Sequence, residues 1–276
     1  MNWSHRPHPT SCSTLPVSRL PHRGRVLLTR PDTPGTSLSE RFKLLGAEVH
    51  TYPLIEIVPP RSWDSFDRTL SSAEQADWII FTSRNGFEFC CSRLEELGKS
   101  HHLLNAAQIA CVGRSTAEAV QKKGLTVNLV PEHHQSEGLL EALDREKIEG
   151  KRFWLIQAEE PQQTLRRGLL KRKAEVRISS VYRNQFPERD FSPMLELLQA
   201  SGVDWLILCS ASAVENLFRI IPSGWDSDWK DSLNVACLGE TTAAAAKNRG
   251  LHITVKPVIQ DFSHLLESLC EHAVSR

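Results

Sequence analysis

The sequence has no excess charge of either sign: Lys and Arg total 33, and so do Asp and Glu. A protein whose main partner is nucleic acid or an anionic membrane carries a basic excess, so neither partner is expected. No apolar run approaches the length of a membrane span. Seven cysteines make an odd count, and none stands in a C-x-x-C pair. Cys90, Cys91, Cys111, Cys209 and Cys237 fall in apolar stretches, where a free thiol behaves as a small hydrophobe. These are features of a reducing compartment, and the expected location is cytoplasmic.

Familiar catalytic motifs are missing as well. There is no G-x-G-x-x-G after the first strand and no G-x-x-x-x-G-K-[ST], which leaves a dinucleotide or nucleotide-phosphate cradle without support. The absence of G-x-S-x-G removes the hydrolase elbow. His101-His102 and His133-His134 lack metal-ligand spacing, so no metal site is expected. The acid pairs Glu95-Glu96 and Glu159-Glu160 read as wet helix faces or loops.

What is present is a duplication. Ile109 to Pro131, IACVGRSTAEAVQKKGLTVNLVP, recurs as Val235 to Pro257, VACLGETTAAAAKNRGLHITVKP, with Gly113 on Gly239, Thr116 on Thr242 and Gly124 on Gly250 (239 − 113 = 126). DWIIFTSRNGF from Asp77 matches DWLILCSASAV from Asp204, placing Ser83 on Ser210 (210 − 83 = 127). Gly150 to Tyr182 parallels Gly24 to Ile55, and the late segments near Ser136 and Ser263 also agree. A register this long is no solenoid repeat. With 276 residues, the chain reads as two related α/β domains with parallel sheets.

Residues 1–23 contain no acid and four prolines, and lack the apolar core of a secretory signal. Prolines break the amphipathic helix of an organelle transit peptide, so a disordered basic extension is expected. Order begins at Arg25 with VLLTRP, a strand stopped by Pro31. A helix through Leu38 and Phe42 closes at Gly46, a second strand follows at Glu48, and Leu54 to Val58 runs extended into Pro59-Pro60.

In open α/β sheets ligands bind beyond the carboxyl ends of the strands. Ser83, Gly113, Ser210 and Gly239 stand at such ends, so two facing domains would line one cleft with helix N-termini and hydroxyls. The first turn of a helix has unpaired N–H groups and the positive end of the peptide dipole. Taken singly, each hydroxyl there reads first as a cap, and Ser115 with Glu118 has capping-box spacing. Tyr182 is one of two tyrosines. It is either a packed strand aromatic or a hydrogen-bond donor and weak acid, with an ordinary pKa of about 10.

The ordered set LLTRP (Leu27–Pro31), LGAEVHTYPLIEI (Leu45–Ile57), DWIIFTSRNGF, VGRSTAEAVQKKG, VYR (Val181–Arg183), WLILCSASAVENL and LGETTAAAAKNRG resembles the uroporphyrinogen-III synthase family from Arg25 to the carboxyl terminus. The resemblance implies a cofactor-free lyase that closes linear hydroxymethylbilane, a tetrapyrrole polycarboxylate, to uroporphyrinogen III; a monomer is expected separately, because no heptad or long apolar patch in the sequence suggests assembly. Water is lost and the last pyrrole inverts through a spiro intermediate. It implies a flavodoxin-like pair of α/β domains joined by a two-stranded linker, with residues 24–56 and 184–276 forming the first and 57–183 the second. Carried over, Tyr182 assists departure of the hydroxyl, and Ser83, Thr116, Ser210 and Thr242 bind substrate with Arg30, Asn85, Gly113, Ser212 and Gly239. Gly86 replaces a commoner Ala, and Cys209 and Ala211 alter the second serine turn. The alternative is a non-catalytic two-domain binding or regulatory protein for an anionic metabolite.

Overall fold

The computed structural model describes residues 24–31, 37–71, 76–160, 163–225 and 228–274. The basic extension expected over residues 1–23 lies outside them. The chain runs β1 (Arg25–Leu28), α1 (Leu38–Leu44), β2 (Glu48–Thr51), β3 (Glu56–Val58), α2 (Asp64–Leu70), β4 (Trp78–Phe81) and α3 (Arg84–Glu96). A short 3-10 helix (His101–Ala106) leads to β5 (Gln108–Cys111), α4 (Arg114–Lys122), α5 (Ser136–Leu143), β6 (Arg152–Ala158), α6 (Thr164–Lys171) and β7 (Glu175–Gln185). Then come α7 (Ser192–Gln199), β8 (Trp205–Leu208), α8 (Ala211–Ile220), α9 (Asp228–Asp231), β9 (Asn234–Cys237), α10 (Glu240–Asn248), β10 (Ile253–Val255) and α11 (Phe262–Val274).

Two compact units result. One holds the described residues up to Glu56 and those from Phe186 onward; the other is Ile57–Gln185. The first contains a sheet of order β10-β9-β8-β1-β2. The second contains a sheet of order β3-β7-β6-β4-β5, in which β4 pairs in parallel with β5 and β6, and β6 with β7. Among the described residues no helix is long and apolar enough to cross a membrane.

Each sheet is buried on both faces, which is why its central strands are apolar throughout rather than alternating. All four residues of WIIF in β4 and of WLIL in β8 are buried. Side chains that alternate along β4 enter different cores: Ile79 and Phe81 pack with α3 and α4, while Trp78 and Ile80 pack with α5 and α6. Cys90, Cys91, Cys111 and Cys237 belong to the buried cores, and Cys209 packs against one of them. Burial pushes the thiols of Cys111 and Cys237 up to about 12, so both stay protonated.

The duplication extends to individual hydrogen bonds. Just before β4, the Asp77 carboxylate accepts the Arg152 N–H at 2.8 Å; just before β8, Asp204 accepts the Arg25 N–H at 2.7 Å. Both pairs start neighbouring strands in register. Gly124 and Gly250 close α4 and α10 with φ of +77° and +80°, a conformation that costs any L side chain free energy.

Candidate functional site

The residues singled out by sequence fall in two groups, one in each unit. At the carboxyl ends of the second sheet stand Ser83 and Asn85 after β4, Gly113 and Thr116 after β5, and Tyr182 near the end of β7. In the other unit Arg30 follows β1, Ser210 and Ser212 follow β8, and Gly239 and Thr242 follow β9. Strands β1, β8 and β9 are successive neighbours, so these turns share one sheet end.

Ser83 and Ser210 are N-caps. Their side-chain oxygens accept the Gly86 and Ala213 N–H groups at 3.0 and 3.2 Å. The other two turns differ, and the capping expected of Ser115, Thr116 and Thr242 is not found. Gly113 and Gly239 are the N-cap residues of α4 and α10, and neither helix has a side-chain cap. The reason is local: the N-cap position, held by a serine in α3 and α8, is held in α4 and α10 by a glycine, which has no side chain to accept an N–H. Ser115 is thereby placed inside the first turn, exposed, while Thr116 and Thr242 are 3% and 5% exposed on the buried side. The first-turn N–H groups of α4 and α10 therefore have no competing side-chain acceptor.

Tyr182 reaches across the end of β6 to the start of α3. Its ring stacks on Phe89, with centroids 6.0 Å apart. Its phenol oxygen accepts the Ser83 hydroxyl proton at 3.0 Å. Since the same Ser83 oxygen accepts the Gly86 N–H, the serine is fixed in orientation and the phenol keeps its own proton for a third group. The residue is half-buried. Gly86 leaves room for this arrangement: a Cβ there would lie 3.3 Å from the Ser83 oxygen and 3.8 Å from the tyrosine ring.

Three further residues belong to this neighbourhood. Glu159, expected to be a wet surface acid, instead anchors the tyrosine strand. Its N–H donates to the Tyr182 carbonyl at 2.9 Å, and its carboxylate holds Arg61 through the backbone N–H and a 2.8 Å guanidinium contact. Gln157 is 4% exposed at the end of β6, a polar residue closing the apolar run FWLI, which is a signal the sequence does carry. Arg183, beside Tyr182, has a buried Nε with no hydrogen-bond partner among the described residues. In the other unit the Arg30 guanidinium lies 4.4 Å over the Phe262 ring while its Nε donates to the Pro31 carbonyl at 3.2 Å.

The family model described as uroporphyrinogen-III synthase HemD matches residues 36–267. The chain belongs to the uroporphyrinogen-III synthase family. A uroporphyrinogen-III synthase from Chlorobaculum parvum is 24% identical over 89% of this chain and 98% of its own length. The porphyrin biosynthesis protein HemD of Ruminiclostridium josui is 25% identical over 84% of this chain; the match spans only 45% of that longer protein. A crystal structure of a mutant uroporphyrinogen III synthase from Thermus thermophilus covers 92% of this chain at 18% identity with a TM-score of 0.62. At that identity the likeness is one of fold: two α/β domains with parallel sheets. Synthase family membership disfavours the non-catalytic binding reading.

Proposed function

We propose that the chain closes hydroxymethylbilane to uroporphyrinogen III, with Tyr182 assisting departure of the terminal hydroxyl. The observation that carries this reading is the Ser83 to Tyr182 hydrogen bond, which orients the phenol as a donor. A phenol that accepts from Ser83 and can donate its own proton suits a leaving hydroxyl: the C–O bond breaks, the proton passes to the departing oxygen, and water forms. The electrons that replace the bond come from the pyrrole nitrogen, so the group leaves readily and no strong acid is required. What the protein must control is which carbon of the last ring attacks the resulting electrophile, and that is a matter of positioning.

The substrate has acetate and propionate carboxylates on every ring. Helix N-termini with open N–H groups, at Gly113 and Gly239, and nearby hydroxyls such as Thr116 and Thr242 suit such anions. Each helix terminus contributes about 0.3–1 kcal/mol before its hydrogen bonds are counted. Several weak sites grip a flexible polyanion without any net positive charge on the protein. Arg30, Asn85, Ser210 and Ser212 complete the proposed contacts.

Incubation of purified protein with hydroxymethylbilane, followed by oxidation and separation of the porphyrin isomers, tests this function. The III isomer is expected. The I isomer alone, the product of spontaneous closure, would overturn the reading.

A further inference from the structure

A cavity of about 1070 Å³ opens at the opposite end of the second sheet, where β4, β5 and β6 begin. Its wall carries four cations, Arg145, Lys147, Lys151 and Arg152, against two carboxylates, Asp77 and Glu146. Asp77 is already committed, since it accepts the Arg152 N–H and pairs with Lys151 at 3.3 Å. Arg145 and Lys147 form no ion pair among the described residues. Two amides add fixed donors. The Asn128 oxygen accepts the Ile109 N–H at 2.8 Å and the Asn105 oxygen accepts the Thr126 N–H at 3.4 Å, which leaves both NH₂ groups to the cavity wall.

The duplicated unit provides an internal comparison. There Asp204 repeats Asp77, and Thr254 stands at the Asn128 position (254 − 128 = 126), accepting the Val235 N–H at 3.1 Å. The backbone bond is thus kept without an amide donor. Glu271, Ala273 and Gly24 stand where the second unit has Arg145, Lys147 and Lys151 (271 − 145 = 126; 151 − 24 = 127). The fold therefore keeps the aspartate, the arginine that starts the neighbouring strand (Arg25 for Arg152) and the acceptor, but not Arg145, Lys147, Lys151 or the Asn128 amide group.

We propose that this cavity is a binding site for a small polyanion, a phosphate- or polycarboxylate-bearing metabolite. Arg145 and Lys147, the two cations outside the Asp77 cluster, would supply the charge, and Asn105 and Asn128 would supply neutral donors to the same oxygens. The volume is ample for a metabolite-sized ligand, and the location at the amino ends of the strands makes it separate from the strand-end turns assigned to substrate.

Calorimetric titration of the full chain at low ionic strength, with inorganic phosphate and with citrate as probes, tests the assignment. One of the two binds the wild type, and which one identifies the ligand's chemistry. Arg145→Gln combined with Lys147→Gln weakens that binding by roughly tenfold or more. Asn128→Thr, which copies the solution of the first unit and retains the Ile109 bond, weakens it independently. Uroporphyrinogen formation is unchanged in both variants. Equal binding by wild type and variants, or no binding of either probe below about 10 mM, overturns the proposal.

Discussion

Ser83 donates its hydroxyl proton to the Tyr182 phenol oxygen at 3.0 Å, and this bond joins the cap of α3 to a residue 99 positions away on β7. It gives a helix cap a second task, since the serine that accepts the Gly86 N–H also sets the direction of a phenol proton. Tyr182→Phe removes that proton while keeping the ring on Phe89. Formation of the III isomer is expected to fall by about 10²-fold, with stability changed by less than about 1 kcal/mol. Turnover at the wild-type rate would make the tyrosine a packing residue.

Ser83→Ala separates the two tasks of the serine. The lost cap costs about 1 kcal/mol of stability, and the phenol loses the donor that orients it, so the rate falls as well. Ser210→Ala, at the equivalent cap, should show the same loss of stability. Thermal melts of the two variants beside the rate assay check both statements.

Thr242→Val keeps the volume of a buried side chain and deletes a hydroxyl that caps nothing. Its melting temperature should therefore stay close to that of the wild type, while the KM for hydroxymethylbilane rises by roughly tenfold or more for one lost hydrogen bond to a carboxylate. A drop in stability of the size of a lost cap, about 0.5–2 kcal/mol, would contradict the geometry at Gly239.

Asp77 supplies a pH dependence. The Arg152 N–H, with Lys151 nearby, holds its carboxyl below the usual range despite the opposing effect of burial. A depressed folded-state pKa contributes stability above the unfolded value of about 3.9 and loses it as pH falls through the folded value. Asp77→Asn should consequently destabilise the protein at pH 7 by about 1–2 kcal/mol, with the difference from wild type shrinking steadily below pH ~4. Denaturant titrations at a series of pH values measure this directly.

Gly138→Ala tests the packing at the start of α5. A Cβ there would collide with the backbone oxygen of His133, which cannot rotate away. The loop before α5 must shift, and the expected loss is about 1–3 kcal/mol. A melt unchanged from wild type would show that the loop yields freely.

Much of this was written in the sequence at the level of elements. WIIF and WLIL read as strands because a parallel sheet buries both faces, and Asp77 and Asp204 stand out as repeated positions, although their bonds to Arg152 and Arg25 join strands distant in sequence. The turns are less legible. Ser115 and Glu118 have the spacing of a capping box, but that spacing does not reveal that an extended Gly113 already occupies the N-cap position. Glu159 looked like a solvated acid because its partner Arg61 lies 98 residues away. The Ser83 to Tyr182 bond was hidden for a similar reason: β6 separates β4 from β7 in the sheet, and strand order is not a property of local sequence.

The most direct measurement is the isomer composition and rate of porphyrin formed from hydroxymethylbilane by wild type and Tyr182→Phe, side by side with an enzyme-free control. The account predicts isomer III from the wild type, and from the variant a slower reaction in which spontaneous isomer I becomes the main product. Isomer I alone from the wild type would contradict the function, and equal III formation by both proteins would contradict the role given to Tyr182.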